Sequence, residues 1–340
     1  MKKINKLFAL LFFFSCIALT SFTAAQESDS TALIIQSSDT NIVKPQYPDT
    51  TFLPSRGNHV FTSISSVDDP FVSTKFHLGF GIAEMIETEI PITIGEFNRT
   101  IKFEPDIFYS TGGVEFQYTI RNWAAVNIKA YGLARLGNNF LSLASEGVSA
   151  ASSFNIGWLF RIAENEDLMF SASISLNTTD LTFIDILGRA DTMITQIDTI
   201  INRQIVTDYQ SLTTQTDLRF AVRFSSVFGL VTKLSGAFGE VYAAENRSQF
   251  QYNFGLALSI DLRNWIHIPF GVGLGGTLIS SDWRFNDAKP PVYSGNVNIA
   301  FYNRNDFTLG LENFIQFIEP QEYEQTFKFI YSRIYITYYF

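Results

Sequence analysis

The chain has 340 residues, of which 46% are hydrophobic and 15% aromatic, with 34 phenylalanines and a formal net charge of −9. After the first residues no run approaches the ~18 consecutive apolar residues a helical membrane span requires, so helical spans are excluded. The acidic balance argues against nucleic acid as a partner.

Residues 1–25 read as a signal peptide. Lys2, Lys3 and Lys6 form a positive n-region, Leu7 to Leu19 an apolar h-region, and Thr23-Ala24-Ala25 a small-residue cleavage site. Loss of those three lysines takes the mature chain to −12. Cys16, the only cysteine, lies in the leader. Phe13-Phe14-Ser15 before it matches a lipoprotein signal poorly, which leaves lipidation as the minor reading. The mature chain then has neither disulfides nor cysteine–zinc sites, and its destination is the cell envelope.

Residues 26–57 are rich in Ser, Thr, Asp and Gln, carry Pro45, Pro48 and Pro54, and lack alternation. They read as an N-terminal extension, either largely unstructured or threaded as a plug. A short strand is expected over 58–66, and the barrel domain is placed over 58–340.

From Thr74 apolar residues recur at every second position, the pattern of a strand whose two faces meet different surroundings. Phe76, Leu78, Phe80 and Ile82 share one face. Val114, Phe116, Tyr118 and Ile120 run to a turn at Arg121-Asn122-Trp123 and return as Val126, Ile128 and Ala130. Phe154 to Ile162 turn through Glu164-Asn165-Glu166-Asp167 and return as Leu168 to Leu176. Leu218 to Phe224 turn near Ser225–Gly229 and return with Leu234 and Phe238. Phe250 to Leu262 reach a second Arg-Asn-Trp turn at Arg263–Trp265 and return through Ile266, Ile268, Phe270 and Val272. Val297, Ile299 and Phe301 turn at Asn303–Asp306 and return as Phe307, Leu309 and Leu311.

Those five turns are short, whereas the connections at 136–151, 179–215, 244–248, 281–291 and 319–324 are longer and polar. Strict alternation of short and long connections is the asymmetry of transmembrane barrels. Only helices and closed barrels satisfy their backbone groups in lipid. The expected fold is therefore all-β: a closed antiparallel transmembrane β-barrel. Five hairpins and a final strand need an odd number of strands before them to reach an even total. One strand at 74–86 makes twelve, the preferred count; three, using 58–66 and parts of 88–109, make fourteen. Thr88–Ile107 fits either an outer hairpin or membrane strands.

The last stretch, FKFIYSRIYITYYF, places Ile334, Ile336, Tyr338 and Phe340 on one face and ends on an aromatic. It resembles the C-terminal strand of Gram-negative outer-membrane β-barrels, and residues 74–340 resemble that broad class of porin and transporter type; no motif selects one family. The resemblance implies that these four residues are the signal read by the barrel-assembly machinery. It also implies outer-membrane lipid as surroundings, and both termini in the periplasm beside the short turns.

Parity assigns inward Arg121, Lys129, Arg135, Arg161, Arg219, Arg223, Lys233, Arg263 and Arg333, against Glu115, Asp217, Asp261 and Glu312. These are the lumen-lining candidates. Two readings fit them: a salt-bridged filling of a narrow barrel, or a conduit whose basic lining favours anions. Catalysis is not expected. His59, His77 and His267 are followed at the second position by Phe61, Gly79 and Pro269, so no His-x-Ser arrangement occurs, and His267 sits beside a short turn. No clustered ligand spacing suggests a metal, and no cofactor is expected. The expected function is passive passage of small solutes, anions or hydrophobic compounds among them; the alternative is a filled structural barrel that displays its loops to partners.

Overall fold

In a computed structural model the structure describes residues 53–86, 90–94, 99–103, 107–136, 147–184, 206–240, 248–281, 291–304, 306–318 and 327–340. The residues expected to form the leader, Cys16 among them, and most of the expected extension lie outside the described residues.

Twelve strands close into an antiparallel barrel. They are β3 (Lys75–Ile86), β6 (Ile107–Arg121), β7 (Ala124–Leu136), β8 (Gly147–Glu164), β9 (Leu168–Ile184), β10 (Val206–Arg223), β11 (Phe228–Glu240), β12 (Ser248–Asp261), β13 (Phe270–Ser281), β14 (Val292–Arg304), β15 (Phe307–Ile318) and β16 (Phe327–Tyr339). Each pairs with its neighbour in sequence, and β16 closes the ring on β3, with Ile336 opposite Leu78. Two further pairs stand outside the ring: β1 (Ser55–Arg56) with β2 (His59–Val60), and β4 (Ile90–Ile94) with β5 (Arg99–Phe103). The β4–β5 pair takes up the ambiguous Thr88–Ile107 stretch, so the count is twelve and not fourteen.

The outer face is apolar by the expected parity. Phe80, Ile82, Ile156, Trp158, Leu234 and Ile334 are all exposed outward. Aromatic side chains gather towards the short-turn end: Tyr118, Trp123, Phe224, Trp265 and Phe340 are each more than half exposed. Rings of this kind sit at the boundary between hydrocarbon and water, so the barrel is a transmembrane one. Apolar rings also pair along the outside, as where Phe170 stacks on Phe220 at 4.3 Å.

Two expectations change in detail. The long connection expected over 179–215 begins and ends inside strands: Thr179 pairs with Ser211, and the ladder runs on to Ile184 opposite Val206. The ladder lengthens the β9–β10 pair, because polar Thr and Gln side chains pair across strands as apolar ones do; residues 185–205, the tip expected as an outer hairpin, lie outside the described residues. The chain also does not return at Ile266. Arg263–Ile266 form a one-turn helix, α1, ended by His267 at φ 57°. The Asp261 carboxylate accepts the Arg263 N–H at 3.0 Å, and Pro269 has no N–H for a ladder, so β13 starts at Phe270. The same Arg-Asn-Trp tripeptide at 121–123 makes a tight turn, with Arg121 paired to Ala124. Identical residues thus close two different turns, and no duplication is needed to account for them.

Residues 53–74 run through the inside of the barrel. Three alternate glycines of β13, Gly271, Gly273 and Gly275, face inward and let this segment lie against the wall. A Cβ at Gly273 would stand 2.9 Å from Ile64, and one at Gly275 3.0 Å from it. Phe61, Ile64, Val67 and Phe71 pack on the small inward residues Ala221, Val231 and Ala257 and on Met169. Burying such side chains stabilises by about 1.5–3 kcal/mol each, which seats the segment in the lumen as a plug.

Candidate functional site

The plug is hydrogen-bonded to the barrel along its length. It begins near the short turns, where Val60 N–H donates to Asp261 Oδ2 at 2.9 Å and Asn264 Nδ2 donates to the Asn58 carbonyl at 2.8 Å. It rises past β12, with Thr62 N–H donating to Ser259 Oγ at 2.8 Å. At mid-height the Ser65 N–H and hydroxyl both donate to Glu312 Oε1, at 2.9 and 2.8 Å. It then returns. Ser171 Oγ donates to the Pro70 carbonyl at 2.6 Å, and Gln117 Nε2 donates to the Phe71 and Ser73 carbonyls at 2.8 Å. Backbone groups that would otherwise be orphaned inside the barrel are met by inward polar side chains of the wall.

At the top of this path lies a layer of charges. Asp68 accepts from Lys129 Nζ at 2.5 Å and Lys233 Nζ at 2.6 Å, with Arg219 Nη2 at 3.6 Å. Asp69 accepts from Lys75 Nζ at 3.1 Å. Glu115 stands 3.4 Å from Lys75 and 3.5 Å from Lys129. Asp217 pairs with Arg219 at 2.7 Å, and Glu312 pairs with Arg333 at 2.7 Å. Five cations (Lys75, Lys129, Arg219, Lys233, Arg333) thus meet five carboxylates (Asp68, Asp69, Glu115, Asp217, Glu312). Burial alone would raise the Asp68 carboxyl; Lys129, Lys233 and Arg219 outweigh it and hold the group well below the usual carboxylate range.

The other inward candidates sit elsewhere. Asp261 is fully buried near the short turns, held by Arg263 at 2.9 Å and Tyr302 OH at 3.1 Å. Arg223 bonds Asp167 at 2.7 Å, and Arg161 pairs with Glu164, which also takes Arg56 at 2.8 Å. Arg121 is exposed at its turn, outside the charge layer. Arg135 lies towards the long loops on β7, opposite Tyr109. The nine-to-four excess of inward cations counted on the strands is therefore absent from the charge layer, where five carboxylates meet five cations. The plug brings Asp68 and Asp69, and the turns bring Asp167 and Glu164. Lys75 was legible by parity, one residue before the outward Phe76. Asp68 and Asp69 had no periodic signal, because the segment that carries them is neither strand nor helix.

Two of the three histidines have structural partners, and His267 is exposed at the end of α1. His59 is buried beside the Ser226 carbonyl at 3.3 Å, and His77 Nδ1 lies 2.8 Å from Thr337 Oγ1. Next to the charge layer is a cavity of about 30 Å³ bounded by Ser63, Asp68, Lys75, His77, Glu115 and Arg219. That is room for a water molecule or two and for nothing larger.

Above the charge layer, towards the long loops, the lumen has two unlike walls. On β3, β6, β7, β15 and β16 the inward side chains are largely apolar or aromatic. Ala83 and Tyr109 are buried together, with Leu133, Phe329 and Tyr331 packed on them. Phe314 meets Tyr331 edge to face at 6.3 Å, and Tyr109 meets Phe329 at 5.9 Å. On β8, β9 and β10 the wall is a ladder of amides: Asn155 donates to Asn177, Asn177 to Gln215 at 3.2 Å, and Gln215 to Asp217 at 2.6 Å.

No protein-family model matches the chain, and no curated protein matches it. Among solved structures the barrel is similar to the KdgM porin (TM-score 0.41, 7% identity, 79% of this chain and 99% of that one). It is also similar to an outer-membrane channel from Pseudomonas putida F1 (0.47, 8%, 82% and 99%). A third is the translocator domain of the autotransporter NalP from Neisseria meningitidis (0.46, 9%, 80% and 90%).

Proposed function

We propose that the protein is an outer-membrane channel or transporter for small solutes, non-enzymatic, in which residues 53–74 are a plug that must yield before solute passes. The observation that carries this is the docking of Asp68 on Lys129, Lys233 and Arg219 inside a closed transmembrane barrel. A barrel of about eight strands is filled by its own side chains, and the interior widens as strands are added. Here the filling is a separate segment, entered from the short-turn end and hydrogen-bonded in place. The short turns, the plug's entry and the end of β16 lie on the periplasmic side in this reading, and the long connections face outside. The outward Ile334, Ile336, Tyr338 and Phe340 of β16 are the residues the assembly machinery would read. With five cations matched by five carboxylates, the charge layer supports no strong anion preference.

The test is conductance of the pure protein in planar bilayers, with and without residues 53–72. The intact barrel should conduct in brief, small steps and the shortened one steadily. Silence in both would select the second reading, a filled barrel displaying its loops, which the same charge balance favours.

A further inference from the structure

We propose that the loop-side half of the lumen, above the charge layer, is a binding site for neutral saccharides. This rests on the reading of the barrel as a solute conduit and names the class of solute. The two walls are chemically opposite. One presents rings: Phe314 and Tyr331 at 6.3 Å and, on β7, Tyr131, 38% exposed. The other presents the carboxamides of Asn155, Asn177 and Gln215, joined into one ladder. A further inward carboxamide, Asn253, stands on β12, two strands from Gln215 and opposite Ser235. The ladder fixes the orientation of its amides and leaves acceptors free: among the described residues, the buried Oδ1 atoms of Asn155 and Asn253 have no hydrogen-bond partner.

A pyranose ring has the matching anatomy. Its C–H face packs on an aromatic ring, and its equatorial hydroxyls donate to amide oxygens. A hydrocarbon would fill the space but bury the amide wall against carbon, leaving polar groups unpaired at a cost of about 1–3 kcal/mol each. An acidic sugar would ask for unpaired cations. Those of the charge layer are already taken by carboxylates, and among the described inward residues above it only Arg135 is charged. Ligands held in the mouths of β-barrels meet mostly apolar walls with a few placed polar groups.

The experiment is titration calorimetry on the full-length protein in a polyoxyethylene detergent, because a sugar-headed detergent would compete. The probes are maltose, cellobiose, digalacturonate and toluene. Saturable binding of a neutral disaccharide is expected, without binding of digalacturonate or toluene. Phe314→Leu keeps apolar bulk but removes the ring, and should weaken binding about tenfold. Asn253→Leu should do likewise, whereas Phe254→Leu on the lipid face should leave it unchanged. Should Phe314→Leu fail to fold, Tyr331→Leu serves in its place. Preference for toluene or for digalacturonate, or no heat from any probe, overturns the proposal. Absent binding with conductance that rises on plug removal would sink the saccharide site alone; binding in a barrel that never conducts would sink the conduit reading alone.

Discussion

Lys233 Nζ lies 2.6 Å from Asp68 Oδ2, across 165 residues of sequence. One partner stands on the barrel wall and the other at the crest of the plug, so a single carboxylate ties the plug to β11, and through Lys129 to β7 as well. Removing it leaves cations in the lumen with Glu115 and Asp217 as their remaining counter-charges.

Asp68→Asn keeps the shape of the side chain and removes its charge. Breaking a buried pair from one side costs about 3–5 kcal/mol, and here the cost falls on the docked state of the plug. The variant should conduct more often and for longer than the parent in planar bilayers. Identical records from the two proteins would mean that Asp68 does not hold the plug.

Val67 offers the converse experiment. Its Cγ2 stands 2.9 Å from the place a Gly255 Cβ would occupy, within the reach of a disulfide. The chain's one cysteine, Cys16, lies outside the described residues, so Val67→Cys with Gly255→Cys introduces the one bridge that can form among them. Oxidised protein should be silent in the bilayer, and reductant should restore conductance. Full conductance with the bridge formed would place the solute path elsewhere.

Acid should loosen the plug with a defined sign. The docked Asp68 carboxyl is depressed below its free value, so its contribution is complete above the free value, about 3.9, and is lost as pH falls through the lower docked value. Open time should therefore be flat from neutral pH down to about 4 and rise only below it. A rise centred near neutrality would assign the gate to another group.

The register of β12 is testable by two adjacent substitutions. Phe254 faces lipid, and Asn253 faces the lumen opposite Ser235. A charge on the lipid face near the midplane costs ~2–4 kcal/mol, so Phe254→Arg should cut the yield of heat-modifiable folded barrel far more than Asn253→Arg. Equal yields would move the strand by one residue.

Orientation can be read with one label. Asn122 is exposed in the β6–β7 turn. In intact cells an impermeant maleimide should leave Asn122→Cys untouched, and it should react once the outer membrane is permeabilised. Labelling in intact cells would invert the barrel.

The barrel was legible in the sequence because lipid and lumen impose a period of two that no turn or loop interrupts. Phe76 to Ile82, Phe154 to Leu176 and Phe250 to Ile260 wrote the lipid face directly, and parity then named Lys129, Arg219, Lys233, Glu312 and Arg333 as inward. The contrast of short turns with long connections ordered the hairpins. Twelve against fourteen strands needed the tertiary structure, because Ile90–Ile94 and Arg99–Phe103 alternate like any strand; pairing with each other instead of with the ring excludes them from it. The plug needed it most. Residues 53–74 have no period, since their side chains answer to a wall that curves around them and whose glycines come from β13, two hundred residues later. Charge balance followed the same rule: the strands alone show nine cations and four carboxylates, and only the fold brings Asp68 and Asp69 among them.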